Sequence, residues 1–152
     1  MKSGMIRIMD ANLNRSREGL RVCEDLSRFV LSSAAISRDL KLLRHGIASI
    51  IKEMPVGQKL LLASRDCKGD VGRLSKLGTE MRRVGAAEVF TANIQRVKES
   101  LRVLEEIAKL IDVRSAVKFQ RLRFRTYDVE KNADAKFRKV RGALRNTGRR
   151  VS

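Results

Sequence analysis

Apolar residues recur three or four positions apart in the first third of the chain, which is the spacing of helices with one buried face. A first helix is predicted from Asp10, a plausible N-cap, to about Leu31. Ser32 and Ser33 then interrupt the pattern, and a second helix is predicted over about residues 34–53. The inward positions are Leu13, Leu20, Cys23, Leu26 and Val30 in the first helix and Ile36, Leu40, Leu43, Ile47, Ile50 and Ile51 in the second.

Residues 91–111 repeat residues 10–30 with an offset of 81 positions. A break at Asp112 and a looser match over residues 113–131 complete a second copy. Two helices that needed only a buried stripe would share apolar spacing, not polar identities. We therefore predict an all-α fold of two similar helical hairpins, related by internal duplication and a pseudo-twofold axis. The polar matches are Asn12 with Asn93, Arg15 with Arg96, Glu18 with Glu99, Arg21 with Arg102 and Glu24 with Glu105.

The chain between and before the two copies is less regular. Pro55 ends the second helix, because proline cannot continue one, and residues 58–63 are either a short helix or an extended piece. Residues 64–73, SRDCKGDVGR, form the clearest loop, which joins the two hairpins. A short helix containing residues 80–83 is expected after it, and residues 1–9 are expected to be a short lead-in.

The charge of the chain points to anionic partners. The formal net charge is +17, and residues 131–152 contain eight Lys or Arg and one Asp. We predict one domain over residues 1–130 and a solvated or disordered basic tail over residues 131–152. Cys23 and Cys67 are expected to be two reduced thiols. Since no apolar run approaches the ~20 residues of a membrane span and no signal peptide is apparent, we expect a cytoplasmic protein.

The repeated charges support two interpretations. On a helix, residues three positions apart are neighbours, so the repeated arginines and glutamates could form salt-bridge ladders on the surface. Their recurrence in both copies, with an asparagine one turn earlier, also fits a polar site at the junction of the halves. Arginines there would present forked donors to phosphate, and glutamates would orient them, hold Mg²⁺ or act as a base. The residues are Asn12, Arg15, Glu18 and Arg21 in the first copy and Asn93, Arg96, Glu99 and Arg102 in the second.

The loop at residues 64–73 supports two interpretations as well. Arg65, Asp66 and Asp70 accompany two glycines, and glycine-rich turns bring backbone N–H groups close to phosphate while an aspartate holds Mg²⁺. The alternative is a plain turn in which glycines take positive φ and Asp70 bonds its own backbone. His45 is the one histidine, and a lone histidine is more often structural than catalytic.

Several familiar functional motifs are absent. The chain has no GxxxxGK[ST], GxGxxG or HExxH motif and no protein-kinase signature. A basic helical nucleic-acid-binding module stays open, because phosphate contacts need only Lys and Arg. Nucleic acid is not favoured, however, since the repeated helices carry acidic residues that would repel its backbone. A non-catalytic partner domain, with the polar repeat as an interface, is the other alternative.

Four segments carry a resemblance to a known family: RIMDANLNRSREGLRVCEDLSRFVL, LKLLRH, LLASRDCKGDVG and ANIQRVKESLRVLEEIAK. Taken in that order over roughly residues 6–130, they resemble the small bacterial hydroxymethylpyrimidine-phosphate kinases of thiamine biosynthesis. That family is unrelated in sequence to the ribokinase-like enzyme of the same step and is often fused to thiamine-phosphate synthase. The resemblance implies ATP-dependent phosphorylation of 4-amino-5-hydroxymethyl-2-methylpyrimidine phosphate to its diphosphate, with selectivity over the free alcohol.

We hypothesise roles for the residues that match these motifs. ATP and Mg²⁺ are the expected cofactors. Asp66 and Asp70 are the first candidates for metal binding and catalysis, and Glu18 and Glu99 are the second candidates for catalysis. Thiamine-phosphate synthase and a second copy of the chain are further candidate partners, and no membrane partner is expected. One shared site is preferred, because Asp10 becomes Thr91 in the second copy and the loop is not repeated. The expected substrate and phosphate contacts are Asn12, Arg15, Arg21, Arg65, Asn93, Arg96 and Arg102.

Overall fold

Five helices and no strand make up the part of the chain that the computed structural model describes, residues 2–66, 68–69 and 83–147. The all-α fold predicted from apolar spacing is confirmed. The second predicted helix has the expected bounds, and residues 58–63 are a helix rather than an extended piece. The predicted short helix at residues 80–83 falls largely outside the described residues. The helices are α1 (Lys2–Phe29), α2 (Ala34–Glu53), α3 (Gln58–Ala63), α4 (Ala86–Ala108) and α5 (Val113–Thr147).

The helices pack as two hairpins, α1 with α2 and α4 with α5, and the most extensive packing joins α1 to α4. The break at Asp112 forms the start of α5, where Asp112 accepts hydrogen bonds from the Ser115 backbone N–H (3.2 Å) and hydroxyl (2.6 Å). This is the role of an N-cap residue, which satisfies donors that the first helical turn leaves unpaired. The origin of the two hairpins by duplication stays a prediction.

The helices α1 and α4 run antiparallel and approach closely at Gly19. A Cβ built on Gly19 would lie 2.9 Å from Val97 Cγ2 and 3.0 Å from the Asn93 carbonyl oxygen. Four residues further along α1, the Cys23 thiol donates to the Phe90 carbonyl (3.6 Å), so α4 is met in reverse order. Glycine at position 19 lets the two backbones approach, and the crossing brings the two halves of the chain together.

Replacing Gly19 with alanine should separate α1 from α4 and lower the free energy of unfolding by about 1–3 kcal/mol, since the added methyl group meets a backbone carbonyl. Urea denaturation followed by circular dichroism measures this loss. Gly142→Ala is the matched control, because Gly142 is also helical and has no neighbour within 4 Å of a built Cβ. Equal stability of the two variants would contradict the close approach.

The first helix begins earlier than the sequence predicted. Asp10 is wrong as an N-cap, because α1 starts at Lys2 and Asp10 lies inside it. The residues expected as a lead-in continue the helical spacing instead, with Ile6 partly buried and Met9 fully buried in the core. The carboxylate of Asp10 is therefore available for a contact outside its own helix.

The expectation of a solvated or disordered tail is wrong for residues 131–147, which continue α5. The apolar spacing runs past the expected boundary, and it buries Val129, Ala133 and Phe137. The ring of Phe137 meets that of Phe90 edge-on, with centroids 5.5 Å apart. The basic residues at positions 131–141 are exposed on the remaining faces of a helix that packs against α4.

Cys23 is a free, buried thiol at the junction of α1 and α4. Burial raises its pKa to about 12, and the negative charge of Glu130 adds to that shift. The thiol therefore stays protonated at neutral pH and acts as a packing group, in agreement with the expectation for Cys23. Cys67 lies outside the described residues.

Candidate functional site

An ion pair between Asp10 and Arg65 joins α1 to the segment that follows α3. Arg65 Nε donates to Asp10 Oδ2 (2.7 Å) and its Nη2 donates to Oδ1 (2.8 Å), which makes the pair bidentate. Asp10 is only 7% exposed, and Asn14 Nδ2 approaches Oδ2 at 3.5 Å. A bidentate arginine fixes the geometry of a carboxylate and satisfies both of its oxygens. The Asp10–Arg65 pair, with Asn14, is a wall between two clefts.

The first, which we call the arginine cleft, has a volume of about 690 Å³. One side is a single face of α1 and the other is the backbone turn after α3. Arg7 and Arg15 line this cleft from α1, and Arg65 lines it from the segment after α3. Besides the wall residues, it is lined by Gly4, Arg7, Ile8, Ala11, Asn12, Arg15 and Asp66.

Asp66 organises the turn beside the arginine cleft. Its Oδ1 accepts a hydrogen bond from the Gly69 backbone N–H (2.9 Å), which closes a local turn. Arg7 Nη2 donates to the Asp66 carbonyl (3.2 Å) and lies 3.7 Å from Oδ2. Gly69 lacks the positive φ that the plain-turn interpretation expected, and Asp66 is the side chain that bonds the turn backbone here. Asp70, its expected partner, lies outside the described residues.

The second, which we call the leucine cleft, lies on the other side of the wall and has a volume of about 470 Å³. Helices α1, α2 and α3 all contribute to it. Its floor is apolar and buried, and Arg17 and Lys52 stand exposed at its edge. Besides the wall, the cleft is lined mainly by Leu13, Arg17, Ile47, Ala48, Ile51, Lys52, Gln58, Leu61 and Leu62.

Four of the site residues predicted from the sequence meet at the arginine cleft: Asn12, Arg15, Arg65 and Asp66. Glu18 and Arg21 are on α1 but line neither cleft. The second-copy residues Asn93, Arg96, Glu99 and Arg102 lie on α4 and line neither cleft.

The antiparallel crossing of α1 and α4 separates the two repeated asparagines. The Asn93 carbonyl lies beside Gly19, whereas Asn12 is seven residues earlier, about 10 Å along α1. Both asparagines donate to the carbonyl four residues before them, at 2.8 Å: Asn12 to Ile8 and Asn93 to Val89. The repeated asparagines thus share a local structural role at different places in the bundle.

The predicted salt-bridge ladders use different partners from those expected. Arg21 pairs with Glu24 (3.6 Å) rather than with Glu18, and Arg102 pairs with Glu105 (2.8 Å) rather than with Glu99. Each of these glutamates is also held by an arginine from the facing helix of its hairpin. Arg44 of α2 reaches Glu24 at 3.2 Å, and Arg123 of α5 reaches Glu105 at 2.9 Å.

The repeated acids Glu24 and Glu105 therefore tie each hairpin together, and this role was missed from the sequence. Sequence reasoning also assigned no site role to Arg7, Asn14, Arg17 and Lys52, and it treated Asp10 as a helix cap. Asp10 and Asn14 could have been identified as site residues from the sequence, because both belong to the DANLNR motif. Arg17 and Lys52 carry no such signal, because helix packing alone brings them to the leucine cleft.

Comparison with known proteins places the chain in a family of thiamine biosynthesis. The matching model is the ThiD2 family, over residues 7–132, and the chain belongs to that family. The match includes every described residue of the wall and of the arginine cleft except Gly4. It ends within α5, so the last turns of that helix lie outside the matched region.

Curated relatives carry the same segment within longer proteins. Thiamine-phosphate synthase from Synechocystis sp. is 40% identical over 128 residues, which is 84% of this chain and 36% of that protein. Thiamine-phosphate synthase from Thermosynechococcus vestitus is 38% identical over 142 residues, 90% of this chain and 39% of that protein. The chain thus spans between a third and two fifths of these relatives.

No solved structure matches the chain. Within the described part, no helix has the length and apolarity needed to cross a bilayer.

Proposed function

We propose that this chain catalyses the ATP-dependent phosphorylation of 4-amino-5-hydroxymethyl-2-methylpyrimidine phosphate to its diphosphate. The observation that carries the proposal is the arginine cleft, which Arg7, Arg15, Arg65 and Asp66 all line, in a chain of the ThiD2 family. Both substrates of this reaction are anionic, so a catalyst must hold two groups of phosphates against their repulsion. Arginine forks and a metal ion are the usual means.

The acceptor chemistry fits the residues of the cleft. The bond from the γ-phosphorus to the β,γ-bridging oxygen breaks, ADP leaves, and an oxygen of the acceptor phosphate forms the new bond. A phosphate monoester is largely ionised at neutral pH, with a second pKa near 6, so it attacks without a general base. Glu18 and Glu99 are then not needed for proton removal, which agrees with their positions outside both clefts. The free alcohol would need such a base.

The residues at the arginine cleft fit Mg²⁺ only as a nucleotide-bound ion. Among the described residues, no group of three or more His, Cys, Asp or Glu could hold a metal, and Asp10 is committed to Arg65. Magnesium in phosphoryl-transfer sites is typically bound by one or two carboxylates together with substrate phosphates. Asp66 can be one such ligand, and Asp70 stays a second candidate. The ion would supply charge neutralisation at the phosphates.

A second candidate function is that of a partner domain for thiamine-phosphate synthase. It is favoured by one observation, the place of this segment within longer relatives of that name. The kinase proposal explains the clustered arginines and the two clefts, whereas a partner domain requires neither.

The test is ADP release with Mg·ATP and the purified chain. Hydroxymethylpyrimidine phosphate and the unphosphorylated alcohol serve as separate acceptors. We expect turnover with the phosphate and at least a hundredfold less with the alcohol, because the alcohol leaves cleft charges unpaired and lacks an ionised nucleophile. Equal turnover with both would remove the phosphate-selective site. No turnover from folded protein would favour the partner-domain function.

A further inference from the structure

We infer that the leucine cleft binds the pyrimidine phosphate, and that the arginine cleft binds the phosphates of the nucleotide. This inference rests on the proposed function and assigns one substrate to each side of the Asp10–Arg65 wall. The geometry points to it because the two clefts share that wall but differ in size, floor and accessible carboxylates.

The leucine cleft has the chemistry of a site for a small planar ring with one phosphate. Leu13, Ile47 and Leu61 form a buried apolar floor, and apolar walls with a few polar groups are typical of sites for ring systems. The side-chain amides of Asn14 and Gln58 stand beside this floor and can both donate to and accept from a pyrimidine edge.

The charges of the leucine cleft suit a phosphate bound without a metal. Arg17 and Lys52 lie at its edge, exposed, and neither has an acidic partner within 4 Å among the described residues. Among the described residues, Asp10 is the one carboxylate lining this cleft, and both of its oxygens are bound by Arg65. A monophosphate dianion therefore meets cations there and no accessible carboxylate from the described part of the chain.

The arginine cleft suits a metal-bound nucleotide better. It is the larger of the two, at about 690 Å³, and it contains Asp66, whose side chain is half exposed. A carboxylate beside several arginines can share a cation with a chain of phosphates. Arg65 lines both clefts, so direct attack on the γ-phosphorus requires the acceptor phosphate to reach the γ-phosphate beside Arg65, where the two clefts adjoin.

Filling the leucine cleft separates this assignment from its alternative. Ala48 is an exposed residue of α2 that lines the cleft, so Ala48→Trp should raise the KM for pyrimidine phosphate at least tenfold and leave the KM for ATP within twofold. Ala35→Trp, at an exposed alanine of the same helix outside both clefts, should change neither. An increase in the KM for ATP alone, or no change in either constant, would overturn the assignment.

Direct binding keeps the test independent of turnover. Titration calorimetry with hydroxymethylpyrimidine phosphate, without nucleotide, should show at least tenfold weaker binding by Ala48→Trp than by the natural chain. Lys52→Glu reverses a charge at the exposed edge, should weaken binding similarly, and serves if the tryptophan variant does not fold. If these substitutions weaken binding but the chain has no kinase activity, the assignment of the leucine cleft stands and the proposed function is rejected. If the chain is an active kinase but the substitutions do not weaken binding, the proposed function stands and the assignment of the leucine cleft is rejected.

Discussion

Replacing Glu105 with alanine is expected to lower the free energy of unfolding by roughly 3–5 kcal/mol, the cost of breaking a buried ion pair from one side. Glu105 is 2% exposed, and the side chain of Arg123 is 12% exposed. The carboxylate accepts from Arg123 through Oε2 (2.9 Å) and from Arg102 through Oε1 (2.8 Å). Alanine leaves the partly buried Arg123 guanidinium without its carboxylate, at the contact that joins α4 to α5.

Urea denaturation measured by circular dichroism checks this loss. The adjacent Glu106→Ala is the matched control, because Glu106 is 45% exposed, pairs with the same Arg102 and lacks the contact to Arg123. We expect the control to have a denaturation midpoint close to that of the natural chain. If Glu105→Ala were as stable as Glu106→Ala, the ion pair at Glu105 would not be what holds the second hairpin together.

Replacing Arg15 with alanine is expected to reduce turnover with pyrimidine phosphate at least a hundredfold while leaving stability nearly unchanged. Arg15 lines the arginine cleft, is exposed, and has no acidic partner within 4 Å among the described residues. Its removal therefore breaks no ion pair within the described part of the chain, but it removes a cation from the cleft where phosphates would bind. Transition-state charge on a transferring phosphoryl group makes such a cation valuable. The measurement is steady-state ADP release.

The repeat supplies the matched control for Arg15. Arg96 is its counterpart at an offset of 81, lies on α4 and lines neither cleft. Arg96→Ala should keep turnover within threefold of the natural chain if the site is built from the first copy alone. An equal loss in both variants would place the second-copy arginines in the site, and activity of Arg15→Ala within threefold would remove Arg15 from it.

Asp70→Ala is expected to lose activity as Arg15→Ala does.

The fold was largely predictable because helix formation follows local spacing. The period of apolar residues located α2 and the end of α1, and Asp112 marked the start of α5. The errors lie at helix ends, where local signals compete with tertiary contacts. Asp10 has the side chain of a cap, yet Arg65, which is distant in sequence, provides its partner. The basic composition of residues 131–147 concealed an apolar stripe that packs on α4.

The candidate site was predictable only in part, because its residues come together through the docking of helices. The DANLNR motif predicted Asn12 and Arg15 as site residues, and the loop after α3 predicted Arg65 and Asp66. All four line the arginine cleft. The second-copy residues Asn93, Arg96, Glu99 and Arg102 line neither cleft, so a site shared by both copies stays a prediction. A repeated pattern gives no sign of whether its two helices run parallel or antiparallel, and the antiparallel crossing at Gly19 places the equivalent residues Asn12 and Asn93 at different points of the bundle.

The Asp10–Arg65 wall makes the two clefts energetically interdependent. An anion that binds Arg65 from one cleft changes the electrostatic potential at the ligand site in the other cleft. Linkage requires the effect to be reciprocal: the factor by which the nucleotide changes the affinity for pyrimidine phosphate must equal the factor in the opposite direction. A wall made of one ion pair thus makes substrate synergy, or substrate antagonism, an expected equilibrium property of this bundle.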